Sequence, residues 1–497
     1  MQSELTKPPE KRLIFDVNPF MTTVVLTEND RAVEIFTEKS YERNLAGSIY
    51  KGVVQSVLPG ISAAFVNIGI GKNAILHFKD IRIDRTGEGG GKYELLHKNE
   101  SPADFLKVGS EILVQASKEP IGTKGPKVTM ELTLPGHTLV LLPASKLICM
   151  SKRFRSEDNK NRIREILKAH IPPCYGVIAR SESELIGEAH LASELEIIIK
   201  RWEEIEHKGR ISTAPKLIWA EEDIVSRSVR DLMRSDIAEL AVNSYEEYVR
   251  IRSMLMLSTP HLVDRVRLVE NEPDLLERFN INKQLSDALS RRVWLKSGAY
   301  IVIDKTEALT SIDVNTGKNT GSSCARNTIL ETNREAAVEI AKQIRLRNLS
   351  GIIVIDFIDM NAQEERDEIV DALKRALSTD SARPTVYGMT RLGLVELARR
   401  RSGKSLEEIY MQKCRHCDGT GVILSPENIA LKLYKRIVEL SGEGNRQLHV
   451  FATPAVINEF KSMLGRCDDK CGLKKLTIRY HGDVMCDPTG FQVKLHG

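Results

Sequence analysis

The chain has 497 residues, too many for one hydrophobic core, so roughly three or four domains are expected. Its 41% hydrophobic and 28% charged residues are typical of a globular protein, and no apolar run is long enough to span a membrane. A net charge of +4 is too small to indicate nucleic-acid binding, which therefore has to be argued from local patches. Eight cysteines do not make a disulfide scaffold, and the first residues resemble no targeting peptide, so we expect a cytoplasmic protein.

Predicted strands dominate the N-terminal part of the chain. Alternating apolar residues over 11–38 predict a three-stranded meander, and residues 47–130 continue in short strands. A polar, glycine-rich loop, roughly 82–107, interrupts these strands, and we expect it to be a flexible insertion. Between residues 138 and 256 short strands alternate with helices.

From about residue 289 strands and helices alternate regularly. Strands are predicted at 299–304 and 308–314, followed by a helix, the apolar run at 351–359, a second helix and a further strand. This order predicts a mainly parallel sheet, and the apolar run predicts a strand that is buried on both faces.

Two acidic residues lie near the ends of these strands. Asp313 and Asp356 are separated by one helical crossover, so their strands should be neighbours and their carboxylates a few ångströms apart. Two carboxylates that close favour a cation between them, and oxygen ligands favour Mg²⁺ or Mn²⁺, which can activate water at a phosphodiester. Asn315 follows on the same face and can orient a carboxylate. Asp304 and Asp359 are similar candidates, and all four acids can instead be ordinary strand-end residues that cap turns.

A second group of residues predicts contacts with single-stranded nucleic acid. Aromatic residues interleaved with cations on a small barrel can stack on bases and contact phosphates, although such aromatic residues can equally belong to the barrel core. The aromatic residues are Tyr50, Phe65 and Phe78, and the interleaved cations are Lys51 and Lys72. Lys118, Lys124 and Lys127 add further predicted phosphate contacts. The basic run at 391–404 is either a further contact or a solvated helix face.

Cys414 and Cys417 form a CxxC in a glycine-ended turn, which is the spacing of two zinc ligands. Three interpretations stay open. Cys467 and Cys471 complete a four-cysteine site within the chain, the same pair from a second copy completes it across a two-fold axis, or the pair is redox-active.

Several motifs together resemble the ribonuclease E/G family. The resemblance covers nearly the whole chain, is most specific across 298–421, and is greatest to the shorter members because the segment after the cysteine pair is short. The motifs are YKGVVQSVLPGISAAFVNIG, GTKG, SIDVNTG, ETNREAAVEIAKQIRLRNLSGIIVIDFIDMN, RLGLVELARRR and CRHCDGTG.

The resemblance implies a multidomain fold with α/β and β parts. An S1 (OB) barrel is inserted in an RNase H-like domain, followed by a 5′-sensor region, a DNase I-like catalytic domain, a zinc link and a small C-terminal domain. The implied boundaries are 1–38 with 223–288 for the RNase H-like domain, 39–130 for the S1 domain, 131–222 for the sensor region, 289–410 for the catalytic domain, 411–424 for the zinc link and 425–497 for the small domain.

The resemblance also implies the activity. It implies a Mg²⁺-dependent endoribonuclease that hydrolyses single-stranded A/U-rich RNA to 5′-phosphate and 3′-hydroxyl ends, in rRNA processing and mRNA decay. A 5′-monophosphate on the substrate is expected to stimulate cleavage. An alternative of another class is a non-catalytic RNA-binding scaffold, and a third interpretation is a metal-dependent deoxyribonuclease.

The family's site residues match individual positions of this sequence. Asp313 and Asp356 match the Mg²⁺ ligands, and Asn315 matches the residue that orients a carboxylate. Phe65 and Lys124 match RNA contacts of the S1 domain. The pocket for the 5′-monophosphate matches Gly136, Val140, Arg180 and Arg383, with Ser181 where threonine is usual.

The cysteine pair matches a zinc link in which two chains share one metal. Under the resemblance, Cys414 and Cys417 therefore make a homodimer, or a homotetramer built from such dimers, and no membrane or degradosome-type tail is expected. Two positions depart from the family pattern. Ile75 replaces a second aromatic residue of the S1 surface, and Arg415 replaces the proline between the cysteines.

Overall fold

The computed structural model describes residues 9–496 with some interruptions. These are residues 43, 85–92, 96–104, 121–123, 155, 271, 273, 318–324, 402, 442–446, 467–475 and 484–486. The chain divides into two units, Met1–Ile409 and Tyr410–Gly497. Among the helices in the described ranges, none is long and apolar enough to cross a bilayer.

The predicted meander forms the start of the first sheet. Strands β1 (Lys11–Val17), β2 (Met21–Glu28) and β3 (Arg31–Lys39) pair antiparallel in sequence order. The tight turn between β2 and β3 places Asn29 and Asp30 at positive φ, a conformation that these two residue types tolerate.

A closed barrel follows. Its region contains β4 (Ile49–Leu58), β5 (Ala63–Asn67), β6 (Ala74–His77), β7 (Arg82–Asp84), β8 (Tyr93–Leu95), β9 (Glu111–Lys118) and β10 (Lys127–Thr129). Five strands close in the order β4-β5-β6-β10-β9 because β4 also pairs with β9, and this is consistent with an S1 (OB)-like domain. Strands β7 and β8 pair with each other. The rest of the insertion predicted at 82–107 lies largely outside the described residues.

A small sheet with two helices comes next. It contains β11 (Leu134–Pro135), β12 (Leu139–Leu142), β13 (Ile148–Met150), α1 (Glu157–His170), β14 (Gly176–Ala179), α2 (Glu188–Ile211) and β15 (Lys216–Trp219). The strand order is β11-β12-β14-β13, while β15 pairs with β4 of the barrel. The buried face of α2, which includes Trp202, packs in the core of this region.

The chain then returns to the first sheet. This segment contains α3 (Ile224–Leu232), β16 (Ile237–Val242), α4 (Tyr245–Ser258), β17 (Val266–Leu268), α5 (Leu275–Arg278) and α6 (Ile281–Leu289). Strand β16 joins β1 in parallel, and β17 joins β16, so the sheet has the order β17-β16-β1-β2-β3. Helices α3 and α4 begin where Asp223 and Ser244 accept a backbone hydrogen bond as N-caps.

A six-stranded sheet carries the residues of greatest interest. The elements are β18 (Arg292–Trp294), β19 (Tyr300–Lys305), β20 (Leu309–Asn315), α7 (Ala325–Leu346), β21 (Gly351–Asp356), α8 (Gln363–Leu377), β22 (Thr385–Met389), β23 (Leu394–Arg399) and α9 (Leu406–Tyr410). The strand order is β18-β19-β20-β21-β23-β22. Helices α7 and α8 pack on one face, where Ile340 and Leu373 meet the buried side chains of the strands.

Two predictions for this sheet are wrong. Among the pairings of these described strands β20–β21 alone is parallel, because β19–β20 and β22–β23 are joined by tight turns instead of helical crossovers. Strand β21 is also not buried on both faces. Ile353 and Ile355 face the helices, whereas Ile352 is 56% exposed on the other face. The sheet therefore has one covered face and one open face.

The second unit has its own core. It contains α10 (Pro426–Ser441), β24 (Gln447–Ala452), α11 (Pro454–Arg466), β25 (Thr477–Gly482) and β26 (Gln492–His496). The strand order is β25-β24-β26, with β25 parallel and β26 antiparallel to β24. Leu433, Ile437 and Phe460 of the two helices pack on this sheet.

Candidate active site

Asp313 and Asp356 lie directly opposite each other on neighbouring strands. The parallel pair β20–β21 aligns Ile312 with Ile355 and Asp313 with Asp356, at the carboxyl ends of both strands. Because Ile312 and Ile355 are buried against the helices and side chains alternate along a strand, both aspartates project from the open face. The adjacency predicted from the single crossover is confirmed.

The surroundings of the two carboxylates differ. Asn315 donates a hydrogen bond from Nδ2 to Oδ2 of Asp313 at 2.7 Å, so one carboxylate is held by an amide on its own strand. Partial burial, and then the negative charges of Asp313 and Asp359, raise the pKa of Asp356. The second carboxylate therefore lies in a field that disfavours its charge unless a cation is present.

The other two acidic candidates are placed differently. Asp304 is paired with Arg291, whose Nη2 lies 2.7 Å from Oδ2 of the carboxylate, and this ion pair lowers the pKa of Asp304. Asp359 is exposed in the loop after β21, close enough to Asp356 to influence its ionisation. The structure thus brings Asp313, Asp356 and Asn315 together, with Asp359 nearby and Asp304 engaged elsewhere.

A buried asparagine on α7 holds the loop after β21. Asn333 is fully buried, donates from Nδ2 to the Ile358 carbonyl at 2.8 Å and accepts from the Ile358 N–H at 3.1 Å. Arg366 donates from Nε to the Met360 carbonyl at 2.8 Å on the far side of the loop. Sequence reasoning missed Asn333, although a signal exists: it occupies the apolar face of α7 at helical spacing from buried Ala337.

The donor set fits a hard divalent cation. Two carboxylates with mutual repulsion and an amide offer oxygen ligands on an open face, and Mg²⁺ is usually held by one or two carboxylates while it keeps several waters. Burial, and then repulsion from Asp313 and Asp359, raise the pKa of Asp356, and a bound cation would relieve that repulsion.

The predicted RNA contacts of the barrel share one edge. Phe65 on β5 lies opposite Ile75 on β6, and both are half-buried on the outer surface. The loop with Lys124 packs against the start of β6. The Ile75 N–H donates to the Pro126 carbonyl at 2.9 Å, and a Cβ on Gly125 would lie 1.9 Å from the Asn73 carbonyl oxygen. Phe65 and Lys124 are therefore carried by neighbouring parts of one surface.

Other barrel residues proposed from the sequence have structural roles. Tyr50 is buried in the barrel core, and Phe78 packs against that core from the side. Lys51 contacts Glu111 at 2.8 Å and donates to the Ser212 carbonyl at 2.8 Å. The interpretation of Tyr50 as a nucleic-acid contact is wrong, because a strand alternates buried and outward positions and Tyr50 takes a buried one. Lys51 stays a prediction, with its ammonium group already engaged by these two partners.

Most of the residues expected at the 5′-monophosphate pocket gather around β12 and β14. Val140 on β12 lies opposite Ile178, and the Arg180 N–H donates to the Thr138 carbonyl at 2.8 Å. Arg180 also donates from Nη1 to Asp231 at 2.7 Å, and Ser181 follows it in a 3₁₀ turn. Gly136 lies at the tight turn before β12, where a Cβ would clash with Glu194.

Arg383 lies in an adjoining basic cavity of about 460 Å³. Its backbone has a φ of +49°, a strained value for a residue other than glycine. Arg153 and Lys152, which sequence reasoning missed, line the same cavity. Arg180 lies outside the cavity, beside buried His137. Arg234 lies near both His137 and Arg153. Burial has the largest effect on the pKa of each, and the charge of Arg234 lowers both pKa values further.

The basic run at 391–404 is mostly engaged within the protein. It forms strand β23 and the loop after it, so the alternative of a solvated helix face is wrong. Arg399 is buried and donates to Asp380 at 2.7 Å, and Arg401 donates to Glu408 at 2.8 Å. These charges tie the sheet to the segments around it.

Cys414 and Cys417 adjoin in an exposed turn of the second unit. Cys417 Sγ accepts a hydrogen bond from the Gly421 N–H at 3.3 Å. Backbone hydrogen bonds from Gly421 and Gly419 lower the pKa of the Cys417 thiol, which favours the thiolate that binds metals. Cys467 and Cys471, the ligands of the intramolecular alternative, lie outside the described residues.

The barrel, the paired carboxylates and the basic cavity together are typical of a nuclease. The sequence model described as the ribonuclease E/G family matches residues 133–402. The chain belongs to the ribonuclease E/G family, as its motifs predict, and is thereby placed among endoribonucleases.

Individual relatives extend the likeness beyond the matched segment. Ribonuclease G of Escherichia coli K12 is 34% identical over 452 residues, which cover 90% of this chain and 92% of the relative. Ribonuclease G of Haemophilus influenzae is 34% identical over 446 residues, covering 89% and 90%. Ribonuclease E of a Nostoc species is 37% identical over 409 residues, but these cover only 58% of that longer protein. The alignment covers nearly all of the ribonuclease G relatives but little more than half of this ribonuclease E, which agrees with the predicted resemblance to the shorter members, ribonuclease G in particular.

Proposed function

We propose that the protein is a Mg²⁺-dependent endoribonuclease that hydrolyses single-stranded A/U-rich RNA and leaves 5′-phosphate and 3′-hydroxyl ends. The observation that carries the proposal is the register of Asp313 with Asp356 on the open face of the sheet. Membership of a ribonuclease family supports RNA as the substrate. The relatives' names, ribonuclease G and ribonuclease E, agree with an RNA substrate. As the natural substrates we propose rRNA precursors and mRNA, in the cytoplasm.

In this proposal Asp313 and Asp356, at the ends of β20 and β21, would hold Mg²⁺ or Mn²⁺. The cation would supply charge neutralisation at the scissile phosphate and a more acidic water. Asn315 holds the Asp313 carboxylate in one orientation through its 2.7 Å hydrogen bond, so one ligand oxygen stays free to face the cation. Asn333 fixes the loop after Asp356 from the buried side.

The barrel is proposed to hold the single strand. Phe65 offers a half-exposed ring for a base, and Lys124 offers a charge for a phosphate. Ile75, opposite Phe65, provides apolar contact without a ring. Unpaired RNA bound there would leave its phosphates accessible to the carboxylate site.

The basic residues near β12 are proposed to bind a 5′-terminal monophosphate and thereby stimulate cleavage. Charge-assisted hydrogen bonds from arginine suit a phosphate, and a desolvated arginine cluster gains stability when an anion enters. Arg180 and Arg383 would bind the anion with Ser181, on a frame that Gly136 and Val140 shape. Burial, and then the positive charges of Arg234 and Arg383, lower the pKa of Arg153, and an anionic ligand would relieve the repulsion among these arginines.

Assembly and domain identity follow the family pattern in this proposal. Cys414 and Cys417 would share one Zn²⁺ with a second copy, giving a homodimer or a homotetramer of such dimers. The first sheet supports an RNase H-like domain that the barrel interrupts, since β16 and β17 rejoin β1 after the insertion. The six-stranded sheet with helices on one face supports a DNase I-like catalytic domain.

The test is cleavage of a 5′-monophosphorylated, single-stranded, A/U-rich RNA with mapping of the product ends. Wild-type protein with Mg²⁺ should cut internally, and chelation should stop the reaction. Asp313→Asn should abolish cleavage while it leaves RNA affinity nearly unchanged, whereas the exposed Asp371→Asn on α8 should behave as wild type.

Three results would contradict the proposal. Equal cleavage by Asp313→Asn and wild type would remove the carboxylate pair from the reaction, and tight RNA binding without any cleavage would favour the scaffold alternative. Preferential cleavage of a matched DNA strand would identify a deoxyribonuclease instead.

A further inference from the structure

An aromatic cluster occupies the same open face as the paired carboxylates. It consists of Arg292, Trp294 and Tyr300, and none of the three belongs to the proposed metal site, the barrel surface or the 5′-phosphate pocket. Trp294 lies opposite Tyr300 on β18 and β19, and Tyr300 lies opposite Asn315 on β20. Directly opposed residues share a face of the sheet, so the side chains of the cluster and the two carboxylates project from the same face.

The rings of the cluster are arranged around the guanidinium. The Trp294 and Tyr300 ring centroids are 5.2 Å apart at an angle of 61°, an edge-to-face contact. The Arg292 guanidinium carbon lies 4.5 Å from the Tyr300 centroid and 5.7 Å from the Trp294 centroid. Trp294 nevertheless stays 58% exposed. A large ring with a cation beside it is therefore presented to solvent.

The cluster lies close to the proposed cleavage site. Neighbouring strands are about 4.8 Å apart, so Tyr300 is one strand spacing from Asn315 and Trp294 is two spacings away, roughly 10 Å. Arg292 lies in the same lateral row as Asp313 and Asp356, through Val302. A phosphate at the carboxylates would leave the base of that nucleotide or the next within reach of the rings.

The hairpin that carries the cluster is anchored. Glu335 on α7 accepts hydrogen bonds from the Lys296 N–H at 2.6 Å and from the Ser297 N–H at 3.3 Å, in the turn between β18 and β19. A surface fixed before the ligand arrives loses little conformational freedom on binding. The turn thus presents Trp294 in a set position relative to the carboxylates.

We propose that Trp294 and Tyr300, with Arg292, form a stacking platform for one unpaired base of the RNA next to the scissile phosphate. The inference rests on the proposed function and specifies how the substrate is held at that site. Stacking on Trp suits any unpaired base, and the Arg292 charge favours a polyanion over an apolar side chain of a protein partner. A base held here would set the register of the strand relative to Asp313 and Asp356.

The experiment uses single-stranded RNAs that carry 2-aminopurine at successive positions around the cleavage site. Binding is measured with the full-length Asp313→Asn protein, so that the strand stays intact. One position within two nucleotides of the scissile bond should lose fluorescence through stacking. Trp294→Ala should restore that fluorescence and weaken binding by roughly tenfold, the loss expected for one base–aromatic contact. Trp294→Phe, which keeps a ring, should retain most of both effects.

Controls separate the platform from a general effect. Phe20→Ala, a change at an exposed ring in the turn after β1, should alter neither the fluorescence nor the affinity. Arg292→Gln gives a second variant that leaves both rings in place, and it should weaken binding in the same direction. Thermal unfolding of each variant reports whether the fold is intact.

Fluorescence that is unchanged in both Trp294→Ala and Arg292→Gln would overturn the platform. An equal loss of RNA affinity in Phe20→Ala would also overturn it. So would a Trp294→Ala protein that changes its molecular mass but not its RNA binding, because the cluster would then be a contact between copies. Quenching without cleavage by wild type in Mg²⁺ would support the platform and contradict the proposed hydrolysis. Cleavage without Trp294-dependent quenching would do the reverse.

Discussion

Asn333 forms two hydrogen bonds with the backbone of Ile358, one to its carbonyl and one from its N–H. The pair joins α7, on the covered side of the sheet, to the loop that begins at Asp356 on the open side. A helix residue therefore holds the loop that directly follows the second carboxylate.

We predict that Asn333→Ala lowers both stability and activity. Ile358 would keep a partly buried N–H and carbonyl without these partners, at a cost of up to about 1–3 kcal/mol in the free energy of unfolding. Cleavage should also require more Mg²⁺, because the loop after β21 becomes less fixed. Urea unfolding and a Mg²⁺ titration of the cleavage rate measure the two effects.

The control for this change is Gln363→Ala at the start of α8. Gln363 is an exposed amide that donates to Asp367 on its own helix, so its removal should affect neither measurement. If Asn333→Ala kept the wild-type Mg²⁺ dependence, the asparagine would be a packing residue without influence on the site.

Gly125→Ala should disturb the barrel loop that carries Lys124. The added Cβ would lie 1.9 Å from the Asn73 carbonyl oxygen, so the loop must move, and such overpacking costs about 1–3 kcal/mol of stability. We expect weaker RNA binding, measured by fluorescence anisotropy. Gly60→Ala is the matched control, since its Cβ would meet no heavy atom within 4 Å. Equal binding by the two variants would remove the loop from the RNA surface.

The pH dependence of stability should contain a contribution from His137. Burial, and then the positive charges of Arg180, Arg234 and Arg230 against the opposing charge of Asp231, lower the pKa of His137 to about 4 from an ordinary value of 6.5. Between these pH values the unfolded chain binds a proton that the folded chain does not. Stability should therefore rise with pH through this window and fall on acidification, by up to roughly 3 kcal/mol.

Urea unfolding from pH 4 to pH 7 measures this contribution. His137→Gln should flatten the slope over that range, whereas His261→Gln, at an exposed position, should keep it. A slope that is the same in wild type and His137→Gln would show that the histidine ionises normally in the folded protein.

Arg180→Ala should erase the preference for 5′-monophosphorylated over 5′-hydroxyl RNA. The change removes the guanidinium that donates to Asp231 at 2.7 Å, and with it the positive charge next to Ser181 in the chain. Cleavage rates on the two substrates should become nearly equal, while the rate on 5′-hydroxyl RNA stays that of wild type. Arg164→Ala, at a half-buried position on α1 whose guanidinium donates to Asn161 of the same helix, should keep the preference. A preference that survived in Arg180→Ala would place the sensor elsewhere.

Cys414→Ser and Cys417→Ser should each release zinc and reduce the molecular mass. Both sulfurs belong to one turn, so either loss leaves the proposed shared site with incomplete ligands. Zinc content and light scattering report the two effects on the same sample. Cys149→Ser, a change at an exposed and isolated cysteine, should alter neither. Retained zinc with unchanged mass would separate the turn from assembly.

The pairing of Asp313 with Asp356 could be predicted because one rule of connection decides it. A strand, a helix and a second apolar strand place two strands side by side, and the acids stand at equivalent positions in both. The same reasoning failed for the rest of the sheet, because short turns such as Thr306–Leu309 join antiparallel strands and leave no strong signal in composition.

Partners that are distant in sequence account for most of the other errors. Arg399 lies in a basic run, and only the fold reveals that Asp380 receives its charge. Lys51 resembles a phosphate contact until Glu111 is placed beside it. Asn333 is an ordinary helix residue by composition, and its meaning comes from a loop 25 residues further along the chain. Such relationships depend on tertiary contacts that periodicity does not encode.

The helices that cover only one face of the six-stranded sheet have a consequence for long polymers. Because the described residues of the first unit leave Asp313 and Asp356 exposed on this face, an internal stretch of an RNA strand can reach them without a free end entering first. The architecture of this sheet therefore permits cleavage in the middle of an RNA molecule.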